Sequence, residues 1–167
     1  MSARTKLGVL MGAAFVETLG TFLVLALLPF WAERYGATPL TVGILVAAFA
    51  LAQTLTAPLW GQFSDRVGRR PVILAGLAVS VAAYVAFAFA ESVELLFVCR
   101  LAQGVGGGTV SVVFAYLSDA LEPERRAQGI GWLTSATSLA AMIGPAIGSW
   151  AAMLGPRAPG LVPAGLS

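Results

Sequence analysis

Five long apolar runs constrain the fold of this sequence more than any other feature. They cover Leu7 to Phe30, Thr41 to Trp60, Pro71 to Ala90, Leu95 to Tyr116, and Gly129 to Leu154. Each has about twenty residues or more, the length that an α-helix needs to cross roughly 30 Å of hydrocarbon with its backbone hydrogen bonds closed internally. The runs therefore predict an all-α membrane protein whose residues 1–154 form a bundle of transmembrane helices in a lipid bilayer.

Composition and the two ends of the chain fit this interpretation. The 167 residues are 58% hydrophobic and 11% charged, whereas about a quarter of the residues in a soluble domain are charged. We expect the first run to be a retained helix, because it is longer than the apolar region of a usual signal peptide and no clear cleavage site follows. Residues 155–167 are too rich in Pro and Gly for a sixth span, so we expect a disordered tail or a truncated product.

Basic residues are placed asymmetrically between the runs. An N-terminus in the cytoplasm would put most of them on the cytoplasmic side and leave only Arg34 and Arg157 outside. Because cytoplasmic connections carry an excess of Lys and Arg, this placement predicts a multi-pass protein of the cell membrane with a cytoplasmic N-terminus. The residues on the predicted cytoplasmic side are Arg4, Lys6, Arg66, Arg69, Arg70, Arg125 and Arg126.

Several classes of function are disfavoured by what the sequence contains. Cys99 is the only cysteine and there is no His, so we expect no metal site and no redox chemistry. There is no GxxxxGK[ST] loop to indicate ATP as an energy source. Nor is there a Lys/Arg-rich stretch that would indicate a nucleic-acid partner. No nucleophile, base and orienting group can be grouped, so we expect no enzyme and no cofactor.

Two ionisable residues, Glu17 and Arg100, lie inside the apolar runs. A charge facing lipid at the membrane centre costs at least about 2.5 kcal/mol, so both should face protein or water. Glu17 could form a structural hydrogen bond to another helix, or it could bind substrate or carry a proton, because a buried carboxyl holds a proton more readily. Arg100 could snorkel to the headgroups, or it could begin a cavity-lining face with Gln103 and Gly104. The two differ too much in depth for a direct ion pair.

The stretch GQFSDRVGRRP, Gly61 to Pro71, concentrates one acid and three arginines between two apolar runs. We expect Asp65 to pair with Arg66 or Arg69 and to lie near the positive end of the third helix. Pro71 is suited to the first turn of that helix, where no N–H partner is needed. A solvated loop that only fixes topology is the alternative interpretation.

Four motifs resemble those of the major facilitator superfamily. The charged stretch matches its GxxxDRxGRR motif at Gly61, Asp65, Arg66, Gly68, Arg69 and Arg70. The fourth run matches its RxxQG motif at Arg100, Gln103 and Gly104. In that family this motif is associated with proton coupling. The fifth run resembles the GPxxGG element of the drug:proton antiporter branch at Gly144, Pro145 and Gly148. Ser149 stands in place of the last glycine, and Ser135 stands where the pattern usually begins with glycine. The first run follows the LGxxxxxPxxP pattern of that branch at Leu19, Gly20 and Pro29, with Ala26 in place of the first proline.

The resemblance implies two six-helix bundles around a central cavity lined by the first and fourth helices. This chain would be an incomplete N-terminal bundle, truncated after its fifth helix. The implied partners are a small-molecule substrate, protons, and a missing C-terminal bundle or a second copy.

The implied function is proton-coupled efflux of a small molecule or drug by alternating access, driven by the proton gradient. Glu17 would contact substrate or carry a proton, and Arg100 would modulate protonation of a nearby carboxyl. The charged stretch would gate the cytoplasmic side, and Gly144 with Pro145 would bend the fifth helix. Two alternatives are an importer of sugars or metabolites and a non-transporting remnant or membrane interaction partner.

Overall fold

The computed structural model describes residues 3–153 and residue 165, and the described part is built from helices. Five spans in it are long and apolar enough to cross a membrane, which confirms the predicted all-α membrane fold. The expected tail, 155–167, lies outside the described residues apart from residue 165. The helices are α1 (Ala3–Arg34), α2 (Pro39–Val67), α3 (Arg69–Ala88), α4 (Val93–Gly107), α5 (Val110–Ala120) and α6 (Pro123–Met153).

Helices α2 and α4 each start after a short polar connection at the same end of the bundle. The hydroxyl of Thr38 accepts a hydrogen bond from the N–H of Thr41 at 3.3 Å, and Pro39 occupies the first helical position. Ser92 accepts in the same way from the N–H of Leu95 at 3.2 Å. Both hydroxyls satisfy N–H groups that a helix start leaves without an internal partner. The sequence thus sets tight turns between antiparallel spans at this end, which we call the capped end.

The charged stretch lies at the other end, which we call the basic end, and it is helical rather than a loop. Helix α2 continues through it to Val67 instead of stopping at Trp60, and α3 starts at Arg69, so Gly68 alone makes the turn. Gly68 has φ = 96°, a conformation that side-chain-bearing residues rarely adopt. A single glycine therefore holds Asp65 and Arg69 within reach of each other across the turn.

The fourth predicted span, Leu95 to Tyr116, is interrupted. It contains α4 and α5, separated by Gly108 and Thr109. The N–H and the hydroxyl of Thr109 both bond to the carbonyl of Gly106, at 3.1 and 2.8 Å. This three-residue spacing tightens the turn locally, and the glycines before it favour the helix weakly. The interruption lies beside the buried polar groups described next.

Helix α4 is the centre of the bundle. It packs against α2 and α3, while α1 packs mainly against α6. In the most apolar stretch of the span that includes α4, 61% of the residues are buried, compared with 17% in α6. Because lipid gives little driving force for helix association, small residues that permit close approach matter here.

Two buried apolar clusters fill the bundle, with polar groups between them. One cluster, near the capped end, includes Leu28, Trp31 and Phe87. The other, near the basic end, includes Leu10, Val72 and Leu117. We call the buried polar side chains between the clusters the polar layer, which consists of Glu17, Ser80, Arg100, Gln103 and Thr109.

Candidate functional site

A cavity of about 320 Å³ opens at the polar layer between α1, α2 and the fourth span. Glu17 and Arg100 both line it, as does the amide of Gln53. Most of the remaining wall is apolar and includes Phe22 and Phe49. A largely apolar concavity with a few polar groups is the usual form of a small-molecule site.

Glu17 is buried in this wall and is held by α3. Its Oε1 accepts a hydrogen bond from the hydroxyl of Ser80 at 2.8 Å, whereas Oε2 has no hydrogen-bond partner among the described residues. The backbone carbonyl of Glu17 accepts from the hydroxyl of Thr21 at 3.0 Å and from that of Tyr84 at 3.4 Å. The expected structural hydrogen bond to another helix is therefore present. It uses only one of the two carboxyl oxygens.

Arg100 is fully buried rather than extended towards the headgroups. Its Nη1 donates to Oε1 of Gln103 at 2.7 Å, and its Cζ lies 4.7 Å from the centre of the Phe49 ring, a cation–π distance. Within the described part of the chain, no ion pair within 4.0 Å joins Arg100 to Glu17. The sequence-based expectation that depth separates the two charges agrees with this geometry, although both face one cavity.

The rest of the predicted cavity face is placed differently, which corrects the sequence-based interpretation. Neither Gln103 nor Gly104 is among the residues that line this cavity. Gln103 is buried and orients Arg100, whereas Gly104 packs against the backbone of α2 at Phe49. Residues three and four apart share a broad helix face, and here α2 covers part of that face. Gln53 of α2 contributes to the wall instead, and its Nε2 donates to the carbonyl of Gly107 at 3.2 Å.

A second polar group surrounds Arg69 at the basic end. Arg69 contacts Asp65 at 2.9 Å, Asp119 of α5 at 3.1 Å and the Ser64 hydroxyl at 2.6 Å. Of the two pairings expected for Asp65, the structure shows the one with Arg69. We call these four residues the Arg69 cluster. It ties α2, α3 and α5 together at one point.

The other residues of the charged motif are arranged more loosely. Arg66 and Arg70 are exposed, and neither forms an ion pair with a described residue. A Cβ added at Gly61 would meet nothing within 4 Å in this part of the structure. These three positions therefore contribute little to packing within the bundle.

The glycines of the antiporter-like motif bring α6 against α1. A Cβ at Gly144 would lie 2.9 Å from Cβ of Phe22 and 3.2 Å from the carbonyl of Leu19, and one at Gly148 would lie 3.0 Å from the carbonyl of Leu23. Pro145 lies inside α6, which continues to Met153. The two motifs assigned to the antiporter branch thus pack against each other.

Three residues of these two sites were not singled out from the sequence: Ser80, Phe49 and Asp119. Ser80 and Phe49 lie in apolar runs, where Ser and Phe are common. Asp119 does carry a signal, since the chain has only eight acids and this one follows the fourth run. Its position on the same side as Arg69 could have indicated the pair.

Comparisons with known proteins agree with these features. The sequence profile of the Major Facilitator Superfamily matches residues 10–167. The chain is 31% identical over 162 residues to the class B tetracycline resistance protein of Escherichia coli, covering 95% of this chain and 40% of that protein. It is 31% identical over 152 residues to multidrug resistance protein 2 of Bacillus subtilis, covering 90% of this chain and 38% of that protein.

A solved structure shows the same arrangement of helices. The crystal structure of the human organic anion transporter MFSD10 (TETRAN) superposes with a TM-score of 0.86 at 26% identity. The superposition covers 99% of this chain and 46% of that one. The chain therefore spans less than half the length of the proteins that it resembles.

Proposed function

Because this chain belongs to the Major Facilitator Superfamily, we propose that it is part of a secondary transporter that exports a small amphipathic molecule in exchange for protons. The observation that carries this proposal is the cavity in which one carboxyl, one guanidinium and one amide face a largely apolar wall. Its volume of about 320 Å³ is at the lower end of the range for small-molecule sites. The names of the two bacterial relatives, resistance proteins for tetracycline and for multiple drugs, favour drug-like solutes.

Glu17 is the proposed proton carrier. Glu17 is buried between helices, and it lines the cavity from which a proton would reach it. Arg100 lines the same cavity and is the proposed residue that modulates protonation of this carboxyl. Proton uptake and release at Glu17 would then change the charge of the cavity during the transport cycle.

The Arg69 cluster is the proposed gate element, and the basic end is the proposed cytoplasmic end. The cluster joins three helices, and exposed Arg66 and Arg70 lie beside it. In a longer protein, a second bundle would pack against this end and complete the cavity. Asp65→Asn in that longer protein should reduce transport without preventing membrane insertion, and unchanged transport would contradict the gate role.

Binding to the chain itself is the first test. Purified chain in lipid nanodiscs should bind tetracycline, followed by quenching of tryptophan fluorescence. Arg100→Ala should weaken this binding because it removes a charge from the cavity wall and leaves Gln103 without its partner. Arg126→Ala is the matched control, since Arg126 is exposed at the basic end. Equal binding by both variants would contradict the assignment of the cavity.

Transport and its direction are tested in a longer protein that joins this chain to a second bundle. Everted vesicles with an imposed pH gradient should accumulate tetracycline, and accumulation should stop when the gradient is collapsed. Arg100→Ala should abolish the dependence on pH while the protein still reaches the membrane. Undiminished pH-dependent accumulation by that variant would refute the role of Arg100, and gradient-independent uptake of sugars would favour the importer.

A further inference from the structure

The hydroxyl of Ser80 donates to a different kind of acceptor from those of several other serines and threonines in the helices. Thr56, Ser118 and Ser149 donate to carbonyls four residues earlier in their own helices. That local bond is the usual way for Ser and Thr to be satisfied within a helix. Ser80 is fully buried, and its hydroxyl donates instead to a carboxyl oxygen on another helix, Oε1 of Glu17.

Helix α4 packs closely against Ser80. Gly106 of α4 approaches so closely that a Cβ built on it would overlap Oγ of Ser80, and this Cβ would also lie 3.0 Å from the backbone N of Ser80. The hydroxyl is therefore enclosed between α4 and the carboxyl of Glu17. Its position is set by the packing of three helices, α1, α3 and α4.

The bond divides the roles of the two carboxyl oxygens. Oε1 is occupied as an acceptor, while Oε2 has no hydrogen-bond partner among the described residues. We propose that Ser80 is a positioning residue that holds Oε1 of Glu17 as a hydrogen-bond acceptor, so that Oε2 is the oxygen that gains and loses the proton. This inference rests on the proton-carrying role proposed above for Glu17, because it assigns the exchange of that proton to one of the two oxygens.

Few other charged or titratable groups face this carboxyl. From α3, Tyr84 bonds to the backbone carbonyl of Glu17, and from α4, Arg100 lines the same cavity. The polar group from α2 is the uncharged amide of Gln53. Among the described residues, α5 and α6 contribute no titratable side chain to the cavity wall. Ser80 is thus the one described side chain that bonds directly to the carboxyl oxygens.

Infrared difference spectroscopy of the purified chain in nanodiscs tests this assignment. The bands of Glu17 are isolated as the difference between the wild type and Glu17→Gln, and they are followed from acidic to alkaline pH. A hydrogen bond to a carbonyl lowers its stretching frequency. Ser80→Ala should therefore move the C=O band of protonated Glu17 to higher wavenumber, and it should also shift the carboxylate band of the ionised form.

Further variants separate the hydroxyl from the packing. Ser80→Thr, which keeps the hydroxyl, should restore the wild-type band position. Ser80→Cys keeps nearly the same volume with a weak donor, so it should give an intermediate position even if Ser80→Ala does not fold. Ser118→Ala removes a hydroxyl that bonds within its own helix and should leave the Glu17 bands unchanged.

The possible outcomes distinguish the two proposals. Glu17 bands that change with pH but have the same position in the wild type and in Ser80→Ala or Ser80→Cys would overturn the role of Ser80 and leave proton exchange intact. Glu17 bands that do not change with pH would overturn the proton-carrying role, and with it the reason for the positioning role. A band shifted in Ser80→Ala and restored in Ser80→Thr supports the assignment.

Discussion

Gly104 is the position where one added methyl group should reveal how closely α4 and α2 are packed. A Cβ there would overlap the carbonyl oxygen of Phe49 and lie 2.8 Å from Cβ of Ala52 and 3.1 Å from the backbone N of Gln53. Two of these three atoms belong to the α2 backbone, so rotation of a side chain cannot relieve the contact. Gly104→Ala must therefore move one helix away from the other.

Gly43 of α2 provides a matched control, because a Cβ there would meet nothing within 4 Å. Replacing Gly by Ala inside a helix favours the helix by up to about 1 kcal/mol at either site, so this contribution cancels between the two variants. What remains is the cost of overpacking, typically about 1–3 kcal/mol. We expect the upper end, a difference of about 3 kcal/mol, because the obstructing atoms are main-chain atoms.

Unfolding of the purified variants by sodium dodecyl sulphate, followed by circular dichroism, gives the two free energies. Gly104→Ala should unfold at a lower detergent fraction than the wild type, whereas Gly43→Ala should be as stable or more stable. Phe49 and Gln53 also line the cavity, so Gly104→Ala should also weaken the tetracycline binding that we propose for the chain. Equal stability of the two alanine variants would refute the close packing deduced for α4 and α2.

Three other substitutions test single contacts by the same unfolding assay. Arg69→Gln should lower the free energy of unfolding by about 1 kcal/mol or less, because the two carboxylates that Arg69 contacts are 63% and 61% exposed. This loss should disappear in high salt, and Arg70→Gln should show neither effect. Trp60→Phe removes the indole donor that lies 2.7 Å from the carbonyl of Val105 and should lower the free energy of unfolding by about 0.5–1.5 kcal/mol. Trp132 is exposed, so Trp132→Phe should change this free energy little. Gly68→Ala forces a side chain into a positive-φ turn and should lower the free energy of unfolding by about 1–3 kcal/mol. An unchanged stability of Gly68→Ala would contradict the observed turn.

The spans could be predicted from the sequence because hydrocarbon imposes a length and requires internal hydrogen bonding. The same reasoning identified Glu17 and Arg100 as buried, since lipid exposure of either would be unfavourable. It could not locate the interruption at Gly108 and Thr109, because hydropathy does not distinguish a continuous helix from two short ones. The same reasoning predicted a connection at the charged stretch, which is helical in the structure. Sequence could not distinguish the two, because arginines are as compatible with a helix as with a loop.

The sequence alone determined the class of fold, the number of spans and the family motifs, because these depend on residue type and spacing along the chain. The tertiary structure decided which groups meet. It joined Arg69 to Asp119 across about fifty positions, and it turned Ser80 towards Glu17 rather than towards its own helix. It also moved Gly104 from the expected cavity wall into helix packing. Such contacts depend on helix rotation and separation, which are set by how all the helices pack together.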